Sequence, residues 1–330
     1  FFCYDGYWEK AEIYYSEREG ATKMSKYIYL DQNKWIELAR YDSGREKKPE
    51  LKEIFDLIFE KSLSGEWVFP LSVIHYNETV TRKQEEQRHD LAKYMGIISR
   101  NWGIFPFGMY KKEELAYCMD NKKYPYTPIK YNPGCFLGKL YNPEELLSEQ
   151  GIQVDKKKLH EVNKFLSQFN FFLYFVEQEK EVEVLKEDNL FYQSAFEALR
   201  AEDNAHNIPE KLKFDILFMQ CFKAEYKDII DQLAVTEQQK NNLAYDLFKK
   251  QIPHSFYVDI ALIYYSKLKN KQRKNDINDY KDIVSLAQAV PYCDAVITEN
   301  YWSSLIVEHG LDKKYNTLVS KNINDLKKLL

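Results

Sequence analysis

Lys26–Arg40, KYIYLDQNKWIELAR, opens with a short β-rich run that stops at Asp31 and passes without a break into apolar residues at helical spacing. A strand feeding directly into a helix begins an α/β unit. Pro49 then precedes ELKEIFDLIFEKSLSG, in which Leu51, Ile54, Phe55, Ile58 and Phe59 keep the spacing of one helix face and Gly65 is placed to end it. WVFPLS, Trp67–Ser72, is the next apolar strand, with Pro70 marking an edge position or a strand end. Residues 73–100, VIHYNETVTRKQEEQRHDLAKYMGIISR, read as one or two helices.

The same rhythm returns after Pro253. HSFYVDIALIYYSKLKN is a helix, NDINDYKDIVSLAQAV a second, CDAVIT a strand ending at Thr298-Glu299, YWSSLIVEHG a helix closed by Gly310, NTLVS a last strand, and NINDLKKLL a terminal helix with Asn322 as N-cap. Four strands alternating with helices predict an α/β fold with a parallel sheet covered by helices on both faces. Between them, residues 101–251 show Pro-, Gly- and Tyr-rich irregular segments and long helical stretches without strand-helix alternation, and read as a mainly helical insertion. The chain therefore divides into 24–100 and 252–330, two halves of one α/β domain, separated by 101–251. Codons for Glu19-Gly20-Ala21 can spell a ribosome-binding sequence ahead of Met24, so translation is expected to start at Met24, with residues 1–23 a non-native or appended leader.

The 330 residues are 45% hydrophobic and 30% charged, a globular composition with enough length for a large core. The formal net charge of −4 leaves no global positive field, so a nucleic-acid partner must be held by a local patch. Five scattered cysteines with no CxxC pair argue against a disulfide framework or structural zinc and for a reducing cytoplasm. No apolar run approaches the roughly 20 residues of a bilayer span, so no membrane association is expected.

In an open parallel sheet, ligands bind at the carboxyl ends of the strands, and that rule sorts the acids. Asp31 ends the first strand, Glu299 ends CDAVIT, Glu78 lies six residues beyond Ser72 and can face back over the same edge, and Asp282 lies early in a helix running antiparallel to CDAVIT. Asp294, five residues before Glu299, is about 16 Å away at the opposite edge and reads as structural. Converging carboxylates raise one another's pKa unless cations neutralise them. Mg²⁺ or Mn²⁺ with oxygen ligands is the natural solution, and such a site suits metal-assisted phosphodiester hydrolysis.

Each residue also has a plainer reading. Asp31 can cap the next helix, Glu78 can be solvated, and Asp282 can be a favourable first-turn acid. Asp279 is either an N-cap or a support for the ligands, and Asp276 is solvated. His75 is either packed or placed to donate to a substrate phosphate or to orient Glu78. The run SKLKNKQRKN, with Lys267, Lys269, Lys271, Arg273 and Lys274, is either a solvated linker or a phosphate attractor. Tyr124, Tyr126 and Tyr131 either pack or stack on unpaired bases.

YIYLDQN, PLSVIHYNET and NDYKDIVSLAQAVPYCDAVITEN together resemble the PIN-like nuclease family, in particular a bacterial PIN-like branch with an LDxNxW start and an NDxxD…PYCDxxxT ending. The resemblance spans about half the chain, 26–100 and 253–330. It implies a Rossmann-like sheet, metal ligands at Asp31, Glu78, Asp282 and Glu299, and supporting polar groups at Asn33 and Ser72. It further implies Mg²⁺/Mn²⁺-dependent endoribonuclease activity on single-stranded RNA, in toxin or defence settings. The family usually carries Asp at or just after the position of Glu299, which leaves that residue a direct ligand, a water-mediated one or a bystander. The competing expectation is a catalytically inactive PIN-like scaffold, with residues 101–251 binding a protein partner or a second copy. A phosphatase is disfavoured because DQN at Asp31 lacks the second aspartate of a DxD strand.

Overall fold

A computed structural model describes residues 25–120, 126–142, 169–179, 209–233, 236–270 and 278–330, with isolated positions between 143 and 168. β1 (Lys26–Leu30) leads through Asp31 into α1 (Gln32–Asp42), followed by α2 (Lys52–Ser64), β2 (Trp67–Val68), α3 (Val73–Val80) and α4 (Glu85–Ser99). β3 (Trp102–Ile104), α5 (Phe107–Asp120), β4 (Ile129–Tyr131), α6 (Phe171–Gln178), α7 (Glu210–Glu225), α8 (Lys227–Leu233) and α9 (Glu237–Lys250) occupy the described part of the middle stretch. α10 (His254–Ile263), α11 (Asn278–Ala289), β5 (Ala295–Ile297), α12 (Asn300–Glu308), α13 (Leu311–Tyr315) and β6 (Leu318–Ser320) complete the α/β part.

The four expected strands form one parallel sheet in the order β2-β1-β5-β6. β1 and β5 are central, with Ile28 opposite Ala295 and Leu30 opposite Ile297. Their side chains alternate between two cores, as the two-residue strand period requires. Tyr29 and Val296 enter a core with α7, α9, α10, α11 and α12. Ile28, Leu30, Ala295 and Ile297 enter the other, with α1, α2, α3, α4 and α6. The sheet is therefore helix-covered on both faces, which explains why its central strands are apolar throughout.

Pro70 ends the pairing of β2 with β1, as a residue without a backbone donor must. Beyond it Leu71 steps outward to a new neighbour, accepting from the Ile104 amide at 2.8 Å and donating to the Trp102 carbonyl at 3.1 Å. β3 pairs in turn with β4, antiparallel. Two short strands thus lie in the stretch read as mainly helical, and WGI is a three-residue run, too short to display a two-residue period. The described helices of the middle stretch do not form a separate subdomain, since α7 and α9 share the core of α10 and α11, and α6 packs on α4. Residues 1–24, which include the expected leader, lie outside the described residues. Among the described residues no helix is long and apolar enough to cross a membrane.

Candidate functional site

From β1 the chain moves to β2 on one side of the sheet, and β5 and β6 lie on the other, so the strand order reverses between β1 and β5. Their carboxyl ends flank the crevice where open α/β sheets bind ligands. Asp31 follows β1 directly and its amide donates to the Ile297 carbonyl at 2.9 Å. Glu299 follows β5 by two residues. Both occupy extended N-cap positions, of α1 and α12 respectively, yet neither carboxylate makes the usual capping bond to its helix's second or third amide. Asp31 instead accepts from Thr298 Oγ1 at 3.2 Å, and Glu299 accepts from Asn33 Nδ2 at 2.6 Å. Two helix N-termini thus direct their positive ends at the same crevice, which favours negative charge there.

Glu78 and Asp282 approach from opposite faces, on α3 and α11. Burial drives the Glu78 carboxyl up to about 7, with Asp31 and Glu299 adding to the rise while Lys281 and Arg82 oppose it. Lys281 Nζ stands 3.9 Å from Glu78 Oε1. Asp282 is also pushed to about 7, by burial first and then by Asp31, Glu299 and Glu78, against the stabilising hydrogen bond from Trp302 Nε1 to Oδ2 at 2.8 Å. Asp31 is raised by burial and by Glu299. The sequence-predicted carboxylates from four separate segments therefore lie within electrostatic reach of one another.

They are not packed into a closed coordination shell. Among the described residues, no three His, Cys, Asp or Glu side chains stand at the spacing of a directly shared metal ion. An all-oxygen donor set of this openness suits a hydrated hard cation, since Mg²⁺ keeps several waters and needs only one or two direct carboxylates.

The expected supporting residues divide. Asn33 holds Glu299, and Ser72 is the buried N-cap of α3, accepting from the His75 amide at 3.4 Å. His75 is packed and available neither to a phosphate nor to Glu78, a correction to its two functional readings. The ring is 1% exposed, its Nδ1 accepts from the Ser72 amide at 3.1 Å, and Nε2 donates to the Leu30 carbonyl at 2.9 Å. That arrangement fixes a neutral ring, and burial lowers its pKa to about 4. His75 thus ties α3 to the residue before Asp31, which makes it structural and adjacent to the site.

Asp279 is neither a free N-cap nor a support for the ligands: it is buried in an ion pair with Lys267, itself fully buried in the π-helical turn Tyr264–Lys269. Lys267 consequently leaves the set of phosphate attractors. Lys269 is exposed but lies over the Tyr265 ring and beside His309, at the opposite end of α12 from Glu299. Lys271, Arg273, Lys274 and Asp276 lie outside the described residues, as does Tyr124. Tyr126 packs on Tyr110, Tyr117 and Tyr292, and Tyr131 on Trp102. Asp294 is structural as expected: its Oδ2 accepts from the Tyr27 amide at 2.8 Å at the start of β1.

Three contributors had no assigned role in the sequence. Thr298 closes the PYCDxxxT pattern, so its position was marked although its task was not. Trp302 lies one turn into α12, where an aromatic reads as core, and nothing in spacing reveals its bond to Asp282. Lys281 is adjacent to Asp282 in sequence and was hidden by the acidic character of its segment. No family model matches this chain, and neither does any curated protein or solved structure.

Proposed function

We propose that the chain is a PIN-like, Mg²⁺- or Mn²⁺-dependent endoribonuclease that hydrolyses phosphodiester bonds of single-stranded RNA. The observation that carries this reading is the convergence of Asp31, Glu78, Asp282 and Glu299 on the crevice between β1 and β5, with two of the four carboxyls held near 7 by burial and mutual repulsion. Four acids in such proximity destabilise one another unless a cation is present. A bound divalent cation supplies charge neutralisation at the phosphate and acidifies the attacking water.

The residues divide the remaining work. Asp31 and Glu299 are set by the two central strands and oriented by Thr298 and Asn33. Trp302 holds Oδ2 of Asp282 and leaves Oδ1 as the acceptor for a ligand. Lys281 provides a counter-charge at Glu78 that can transfer to a substrate phosphate. Glu78 and Asp282, raised by burial and by the neighbouring acids in the metal-free protein, are the carboxylates whose ionised form a cation would favour most.

The test is a calorimetric titration of EDTA-treated protein with Mn²⁺, followed by cleavage of a single-stranded oligoribonucleotide. Binding and restored cleavage are expected. Binding of no metal would favour the second reading, a catalytically inactive scaffold, which the absence of a closed three-ligand shell among the described residues and the Lys281 counter-charge both allow. Trp302→Phe removes the Nε1 donor together with the second ring of a core side chain that is 1% exposed. It is expected to weaken Mn²⁺ binding or cleavage about 10- to 100-fold, the usual effect of losing a group that orients a ligand, and to lower the melting temperature through the cavity it leaves, so binding is measured well below the variant's melting transition.

A further inference from the structure

Toward the end of α1 away from Asp31, next to the start of α4, lies a small pocket lined by Arg40, Arg45, Arg82 and Gln87 against the apolar side chains of Ile36 and Leu91. Arg45 is committed elsewhere, its Nη2 lying 2.6 Å from Asp90 Oδ2. Arg40 and Arg82 are not: among the described residues neither guanidinium forms an ion pair or donates a hydrogen bond. Arg82 is half-buried, and its charged form is disfavoured first by that burial and then by the like charge of Arg40, with Glu78 offsetting part of the cost. Arg40 is exposed and Arg82 half-buried, and two guanidiniums lining one partly apolar pocket, with no ion-pair partner among the described residues, offer a place for an anion. The planar fork of arginine matches the oxygens of a phosphate in particular.

The position of the pocket identifies which phosphate. Arg82 is one turn beyond Glu78, about 6 Å along the chain, and Arg40 is nine residues from Asp31 on the same helix, about 13 Å. A strand whose scissile phosphate meets the four carboxylates would carry its next phosphates along α1 toward this pocket. We propose that Arg40 and Arg82 form a subsite for a backbone phosphate flanking the cleaved bond, so that strand binding is separated in space from the acidic centre. The subsite also resolves a difficulty of charge, since an acidic crevice alone repels the polyanion it must cleave. The assignment rests on the nuclease reading given above.

The experiment uses the full chain carrying Asp31→Asn, with Mg²⁺ present, and measures binding of a fluorescent single-stranded oligoribonucleotide across a salt series. Adding Arg40→Gln with Arg82→Gln is expected to weaken binding about tenfold and to reduce the slope of log affinity against log salt by about 1.4, two phosphate contacts' worth on a single strand. Lys249→Gln with Lys250→Gln removes the same charge from the exposed end of α9 and is expected to leave the slope unchanged. Equal losses in both double variants, no loss in either, or a parent protein that binds no oligonucleotide would each overturn the subsite. Inorganic phosphate binding that depends on Arg40 and Arg82, with strand affinity unaffected, would reassign the pocket to a free phosphate and overturn the strand assignment. The two readings fail separately. Asp31→Asn protein that cleaves as well as wild type removes the nuclease reading, whereas inactive Asp31→Asn protein indifferent to the arginine changes removes only the subsite.

Discussion

Asp31→Asn is expected to reduce Mn²⁺-dependent cleavage of single-stranded RNA by about a thousandfold or more, the scale of losing a preorganised charged group from a phosphoryl-transfer site. The same change is expected to leave the fold intact. Asp31 makes no side-chain capping bond for the change to remove, the Asn side-chain oxygen can still accept from Thr298 Oγ1, and the backbone bond to Ile297 is untouched. Removing the charge also relieves Glu78 and Asp282, both of which Asp31 pushes upward. The metal-free variant should therefore melt no lower than wild type, and higher above neutral pH. Full cleavage by the variant, or wild-type cleavage undiminished by EDTA, would remove the proposed function. Lost activity accompanied by a lower melting temperature would instead give Asp31 a structural role, through its bond from Thr298.

The parts of this arrangement that were legible in the sequence are those written as local pattern. KYIYL and CDAVIT are apolar because the central strands of a parallel sheet are covered on both faces, and the acids at their ends follow from strand direction alone. Asp294 could be set aside by counting residues along an extended strand. Side-chain partnership was not legible, because it depends on tertiary approach. His75 lies one turn before Glu78 and looks available on a helical projection, yet its ring nitrogens are used by Ser72 and Leu30, residues on different elements. Lys267 and Asp279 read as a basic linker and an acidic helix start, but folding buries them against each other. Arg40 and Arg82 lie 42 positions apart on elements with no shared motif. Their proximity comes from the packing of α1 on α4, which no spacing along the chain records. β3 escaped for a different reason: it is three residues long and pairs with the chain just after Pro70, where regular strand pattern has already ended.

The pH dependence of stability gives a second large effect, and its sign follows from the raised carboxyls. Asp282 has a pKa near 7 in the folded protein against an ordinary value near 3.8, so the folded state binds its proton more tightly than the unfolded state does. Its contribution to stability is therefore complete below about pH 4 and is lost as pH rises through 7. His75 works in the opposite direction, because its folded pKa near 4 lies below its ordinary 6.5 and its contribution is lost as pH falls. A simple pH profile of wild-type melting mixes these two with Glu78, whose carboxyl is also raised to about 7. Comparison with Asp282→Asn separates them, since the variant keeps His75 and can still accept the Trp302 hydrogen bond. In EDTA the variant should gain on wild type by on the order of 2 kcal/mol between pH 5 and pH 8, allowing for coupling to Asp31, Glu299 and Glu78. Mn²⁺ should then narrow the gap at pH 8, because the wild-type site has one more carboxylate to offer the cation and loses more repulsion when it binds. A gap that stays constant with pH would show that Asp282 is ionised at no cost in the folded protein, and the crowding of charge on which the metal reading depends would then be absent.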